Sequence, residues 1–196
     1  MIDHIRPALA TLGLMTVLTG LAYPLALTGL GQTLMPHQAN ASLIVRDGQV
    51  IGSALVGQAF AAPGYLHPRP SAVDYDAAAA GASNLGPTSA ALIADQAARA
   101  VDFVASTGAA SVPVDAVTAS GSGLDPHVSP QNAQAQAARI AAARGVPAAE
   151  VAALIETQIE PRWLGLFGEP RVNVLAVNLA LDAAFPAAPT GPRTEG

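Results

Sequence analysis

Residues 8–30 read ALATLGLMTVLTGLAYPLALTGL, a run without a single Asp, Glu, Lys or Arg. As a helix, at about 1.5 Å per residue, it would span roughly 35 Å. That is enough to cross a hydrocarbon core of about 30 Å with some tilt. Gly20 and Pro24 lie inside the run, and membrane helices tolerate both when neighbours re-satisfy the backbone. Gly13, Thr16 and Gly20 follow the small-residue spacing that lets two helices approach closely. The stretch free of acidic and basic residues extends from Arg6 to Arg46. Arg6 and the terminal amine precede the helix, and no arginine comes after it until Arg46. This bias predicts a cytoplasmic N-terminus, residues 1–7, and a main domain on the outer face. Ala39-Asn40-Ala41 resembles a signal-peptidase site, but the apolar run exceeds the 7–15 or so residues of a signal h-region, so the segment reads as an uncleaved anchor.

Composition narrows the possibilities for the rest of the chain. Hydrophobic residues make up 51% and mean hydropathy is +0.38, with the excess at the N-terminus. Aromatics are 4%, so the domain must build its core from Ala, Val, Leu and Ile. The net charge of −5 and the lack of a basic stripe argue against nucleic acid as a partner. All nine basic residues are arginine. Without lysine there is no P-loop lysine, no Schiff base and no Asp-Lys-Thr-Gly phosphorylation motif. Without cysteine there is no thiol catalysis, disulfide or thiolate metal site.

Beyond a linker at residues 31–41, the pattern predicts one mixed domain at 42–182 and a disordered Pro/Ala/Gly tail at 183–196. Ser42–Arg46 and Gln49–Val56 flank Asp47-Gly48, the signature of a type I′ hairpin. Gln58–Pro87 carries only turn signals. Thr88 is expected to cap a helix to about Ala105, with Leu92, Ile93, Ala97, Ala100, Val101 and Val104 on one face and Gly108 ending it. Val112–Thr118 reads as a strand. Ser129-Pro130 starts a second helix, which ends near Arg144-Gly145, and a third runs from about Pro147 to Gln158. Arg171–Leu181, apolar on both alternating sets, reads as a strand buried on both faces. The class is α+β: one N-terminal transmembrane helix, then a single mixed α/β extracytoplasmic domain.

Few residues invite chemistry. His67-Pro68-Arg69-Pro70 is the densest polar cluster, although on the residues alone a rigid proline-bracketed loop whose side chains satisfy local backbone groups is the better reading. Asp74-Tyr75-Asp76 pairs two carboxylates but falls short of the 6–8 or so oxygens calcium takes, so no metal site is expected. Ser120-Gly-Ser-Gly-Leu-Asp-Pro-His127 has the glycines of a phosphate loop without its lysine or spacing. Its Ser122, Asp125 and His127 are triad residue types with no nucleophile elbow around them. The two helices meeting at Arg144-Gly145-Val146-Pro147 mimic a helix-turn-helix, but the second carries Glu150 and Glu156 where bases would be needed. No catalytic residue is expected.

Taken in order, several segments resemble the C subunit of Kdp-type potassium-transporting P-type ATPases. They are Gly52-Ser53, Gly57-Gln58, Tyr65-Leu-His-Pro-Arg-Pro-Ser71, Ser83-Asn-Leu-Gly-Pro-Thr88, Val112-Pro-Val-Asp115, Val117 to Pro130, Gly168-Glu-Pro-Arg-Val-Asn-Val174 and Asn178-Leu-Ala-Leu-Asp182. The resemblance covers about Pro7 to Asp182. Ala82 stands where glycine is common in that family, and Leu66 where phenylalanine is common. The resemblance implies an accessory, non-catalytic assembly subunit in an ATP-driven potassium import complex of the bacterial inner membrane. Its partners would be a channel-like subunit, a P-type ATPase subunit, a small single-helix subunit and the bilayer. The chain would have no cofactor of its own, with ATP and K+ handled by the complex. The resemblance also implies help with nucleotide binding by the ATPase subunit, which conflicts with an outer-face domain. His67, Arg69, Asn84, Asp125 and His127 are the candidates for contacting partners or structuring the loops that face them. The alternative is a membrane-anchored extracytoplasmic binding module unrelated to transport.

Overall fold

A computed structural model describes residues 4–46 and 48–186. The chain divides into two compact units, one ending at Ser53 and the other beginning at Ala54.

In the first unit, α1 (Ile5–Val17), a π-helical stretch (Leu18–Ala22) and α2 (Tyr23–Leu34) form one 30-residue helix, long and apolar enough to cross a membrane. Its leucines, Leu9, Leu12, Leu14 and Leu25 among them, stand exposed. The widened turn lies just before Pro24, with the Tyr23 N–H donating to Leu18 O, and such a bulge is one way a helix absorbs a proline. Thr19 and Thr28 donate to the Met15 and Pro24 carbonyls at 2.7 and 2.8 Å. The helix therefore exceeds the expected 8–30 span at both ends. It stops at Met35, which precedes Pro36 and leaves the α region with ψ at 56°. A single turn, α3 (Pro36–Ala39), occupies much of the expected linker. The hairpin forms from β1 (Leu43–Arg46) and β2 (Gln49–Ser53), with Arg46 opposite Gln49 and Gly48 at φ +77°. Asp47 of the expected turn lies outside the described residues.

The second unit packs a three-stranded antiparallel sheet, β3 (His127–Val128), β5 (Arg171–Asn173) and β4 (Ile159–Glu160) in that order, among α6 (Pro130–Ala135), α7 (Ala137–Arg144), α8 (Ala148–Thr157) and α9 (Val174–Ala184). Its core contains Leu66, Ile140, Val151, Ile155, Val172, Val177 and Leu181, all fully buried. It is aliphatic, as the shortage of aromatics requires. Ser129 starts and Gly145, at φ +68°, ends the expected second helix, but the structure divides it at Gln136 into α6 and α7.

Three local expectations are corrected. Arg171–Leu181 is not one strand: it is three strand residues followed by α9. Asn173 turns the chain, its side chain accepting from the Ala176 N–H at 3.0 Å as an N-cap. A run apolar on every side suits a buried helix as well as a buried strand, and the cap decides. Val112–Thr118 is likewise no strand but contains the one-turn helix α5 (Val114–Val117), entered from Pro113. The helix α4 (Ala90–Thr107) is capped by Ser89 rather than Thr88, and its apolar stripe carries no buried residue. Ile93 and Val101 are 59% and 68% exposed. Of the expected tail, Ala183 and Ala184 belong to α9, and residues from 187 onward lie outside the described residues.

Candidate functional site

The loop carrying His67 and Arg69 belongs to no sheet, so its backbone groups need partners elsewhere. Two buried amides provide them. Asn178 of α9 accepts from the Leu66 N–H (2.7 Å) and donates to the Leu66 carbonyl (3.0 Å). Gln136 does the same for His67, at 2.9 and 3.1 Å. Each amide thus takes the place of one residue of a neighbouring strand. Upstream, Arg139 donates to the Pro63 and Tyr65 carbonyls at 2.6 and 3.1 Å. Arg144, its side chain 1% exposed, donates to the carbonyls of Gly64, Leu181 and Phe185, pairs with Asp182 at 2.9 Å and lies over the Tyr65 ring.

Held this way, Arg69 reaches across to the glycine-rich loop. Its Nη1 pairs with Asp125 Oδ2 at 2.9 Å, and Nη2 lies 3.4 Å from both the carbonyl and hydroxyl oxygens of Thr118. Tyr75 donates its hydroxyl to the Arg69 carbonyl. Burial, aided by Asp74, raises the Tyr75 phenol to about 12, so it remains a donor at neutral pH. Asp125 Oδ1 accepts from the His127 N–H at 3.0 Å, with the His127 ring nitrogen Nδ1 3.7 Å away. Burial opposes ionisation of Asp125. The His127 ring and backbone N–H, with Arg69, outweigh it and hold the carboxyl below its ordinary range. Neighbouring loops lock this one in place: Ser71 Oγ donates to the Gly123 carbonyl, and the Gly57 and Gly81 N–H groups donate to Leu124 and Ser122. Two glycines are obligatory here. A Cβ at Gly57 would sit 2.6 Å from the Asp125 carbonyl oxygen, and one at Gly123, already at φ +70°, 2.4 Å from Val73 Cγ2.

Arg69, Asp125 and His127 therefore meet, lining an open cleft of about 380 Å³ with Asp115, Glu169 and Arg171. His67 lines a different cleft of about 310 Å³, with Arg99, Asp102 and Arg139. Its Nε2 lies 3.1 Å from the Ala62 carbonyl and 3.3 Å from Arg139 Nη1. Burial first, and the Arg139 charge second, lower the His67 pKa below its usual 6.5, so the ring is neutral at pH 7. Asn84 stands apart. It is exposed, sits at φ +53° and donates to the Ala82 carbonyl, which closes its own turn. Asp115 was not among the expected residues, yet it accepts from the Ser129 N–H and hydroxyl and from Asn132. It stands in the first turn of α5, 14 positions before Ser129 in the chain, so no local pattern signalled the pairing. Among the described residues no three His, Asp or Glu side chains gather as metal ligands.

What fold and site define is a small α+β domain behind an apolar helix, its polar groups engaged mainly in holding loops. The K+-transporting ATPase c chain family, KdpC, matches residues 5–183. A potassium-transporting ATPase KdpC subunit from Cereibacter sphaeroides is 65% identical over 184 residues, covering 94% of this chain and 99% of the relative. Another from Caulobacter vibrioides is 56% identical over 95% of this chain and 96% of its own length. A third, from Rhodospirillum rubrum, is 55% identical over 96% of this chain and all of its own. The chain belongs to the KdpC family.

Proposed function

We propose that this chain is the non-catalytic assembly subunit of an ATP-driven potassium import complex in a bacterial inner membrane. Membership of the KdpC family carries this reading, and the 30-residue apolar helix supports the membrane location. The N-terminus is cytoplasmic and the mixed domain extracytoplasmic, on the strength of the arginine distribution. Ion conduction belongs to a channel-like partner, and phosphorylation to a P-type partner whose lysine-containing motif this lysine-free chain cannot supply. A small single-helix subunit completes the set. With the domain outside, any help to nucleotide binding acts through the partners rather than by touching cytoplasmic ATP.

Within the domain, Arg69 and Asp125 hold the loops that face those partners, and His67, Asn84 and His127 are the other candidate contacts. Affinity purification of the tagged full chain should bring down two large membrane proteins of the potassium pump, and the purified chain alone should hydrolyse no ATP. Arg69→Ala should reduce recovery of the complex and growth at limiting potassium. Recovery of the chain without membrane partners would favour an independent binding module and overturn the proposal.

A further inference from the structure

Between β4 and β5 the chain runs out through residues 161–170, every one of them exposed. At its tip are four large apolar side chains: Trp163, Leu164, Leu166 and Phe167, 68%, 76%, 70% and 57% exposed. The Trp163 and Phe167 rings lean together at 5.7 Å between centroids. Single exposed leucines are ordinary on a protein surface, but four side chains of this size clustered on a projecting turn mark a contact site.

The tip's own polar groups indicate what it contacts. Trp163 and Phe167 exchange backbone hydrogen bonds at 2.9 and 3.0 Å, the Gly165 N–H donates to Arg162 and the Leu166 N–H to Trp163. The flanking charges pair within the loop or its stem: Arg162 with Glu169 at 2.5 Å, Arg171 with Glu160 at 2.8 Å. Hydrocarbon offers no hydrogen-bond partners and disfavours unpaired charge, so a segment entering it must satisfy itself internally. Trp in particular favours the membrane interface, where its ring is apolar and its indole N–H meets water. Leu164 adds an independent sign. It sits at φ +53°, a left-handed position where a bulky side chain is strained and Asn or Gly would be at ease. An outlier kept at the most exposed point of a turn points to a role for that side chain outside the domain.

We propose that the Trp163–Phe167 tip inserts into the interfacial layer of the bilayer that holds the apolar helix, giving the domain a second, reversible attachment. This rests on the reading that residues 5–34 span a membrane. That tether keeps the domain beside lipid, so a tip too small to bind membrane from solution can engage it.

The chain carries a built-in probe, because Trp163 is its one tryptophan. The full chain is reconstituted into phosphatidylcholine vesicles with either ordinary or dibrominated acyl chains. Trp163 emission should be blue-shifted, strongly quenched by the brominated lipid and resistant to aqueous iodide. Leu164→Asn suits the left-handed turn and leaves Trp163 in place. It should red-shift the emission and cut bromolipid quenching several-fold, with the melting temperature unchanged or raised. Resistance to carbonate extraction reports the anchor separately. Protein that resists extraction yet shows iodide quenching and no bromolipid quenching overturns the tip insertion alone. Protein that is extracted overturns both readings. A blue shift seen only in the assembled complex, without bromolipid quenching, places the tip in a protein pocket and overturns the proposal.

Discussion

Asp125 ties three parts of the chain together through one residue: its carboxylate takes Arg69 and the His127 N–H, and its backbone carbonyl is approached by Gly57. Its depressed pKa makes a signed prediction. A carboxylate with a lower pKa in the folded state adds stability above the unfolded value, about 3.9, and loses it as pH falls through the folded value. The pair is roughly a quarter exposed, at 25% and 29%, so solvent screens part of its worth. Asp125→Asn in the full chain should therefore cost about 1–2 kcal/mol at pH 6. That gap should close in acid, once the wild-type carboxyl is protonated too. Urea melts of both proteins from pH 6 down to pH 3 check this, and a gap independent of pH would show that packing rather than charge is responsible. The roles of Arg69, Asp125 and His127 were visible in the sequence as a choice of loops but not as pairings. Those of Gln136, Arg139 and Asn178 were not visible, because their partners are backbone groups 69 to 112 positions away in the chain.

Helix α9 shows how an element can be both correctly placed and wrongly typed. Val174, Leu175, Val177 and Leu181 are buried, as the apolar run requires, but on a helix whose entry is set by Asn173. The helical turn brings Asn178 inward, where it is 1% exposed and satisfies both backbone groups of Leu66. Asn178→Ala would leave a buried N–H and a buried carbonyl unpaired, each costing about 1–3 kcal/mol. The expected loss is about 2–4 kcal/mol in the midpoint stability of the domain, measured by chemical denaturation. Asn178→Leu should fare no better despite its added apolar volume, because the Leu66 groups remain unpaired. A small loss for either variant would mean that water or a shifted loop takes over both bonds. The missed α5 has a similar origin. Three valines across Val112–Val117 suggested a strand, while Pro113 and the Asp115 bonds to Ser129 and Asn132 favour a single turn.

At the scale of the whole molecule, the absence of cysteine makes the predicted topology directly testable. Ala110 is exposed in the loop after α4, so Ala110→Cys should leave the fold intact. In spheroplasts it should react with a membrane-impermeant maleimide, and labelling only after lysis would invert the proposed orientation. The sequence by itself determined the apolar helix, the hairpin, three helical regions with the Ser129 start and the Gly108 and Gly145 ends, and the family. Each of these rests on local causes: hydropathy over one segment, a cap hydroxyl beside its helix, a glycine free to take positive φ, and motifs read in order. Only the tertiary structure decided that residues 174–184 coil rather than extend, that Arg69 meets Asp125 while His67 faces another cleft, and that four apolar side chains from Trp163 to Phe167 are left outside the core. Those outcomes depend on which groups become buried together. An apolar run reads the same whether it lines a core or projects from one, and a buried backbone group takes whichever amide or guanidinium the packing brings within reach.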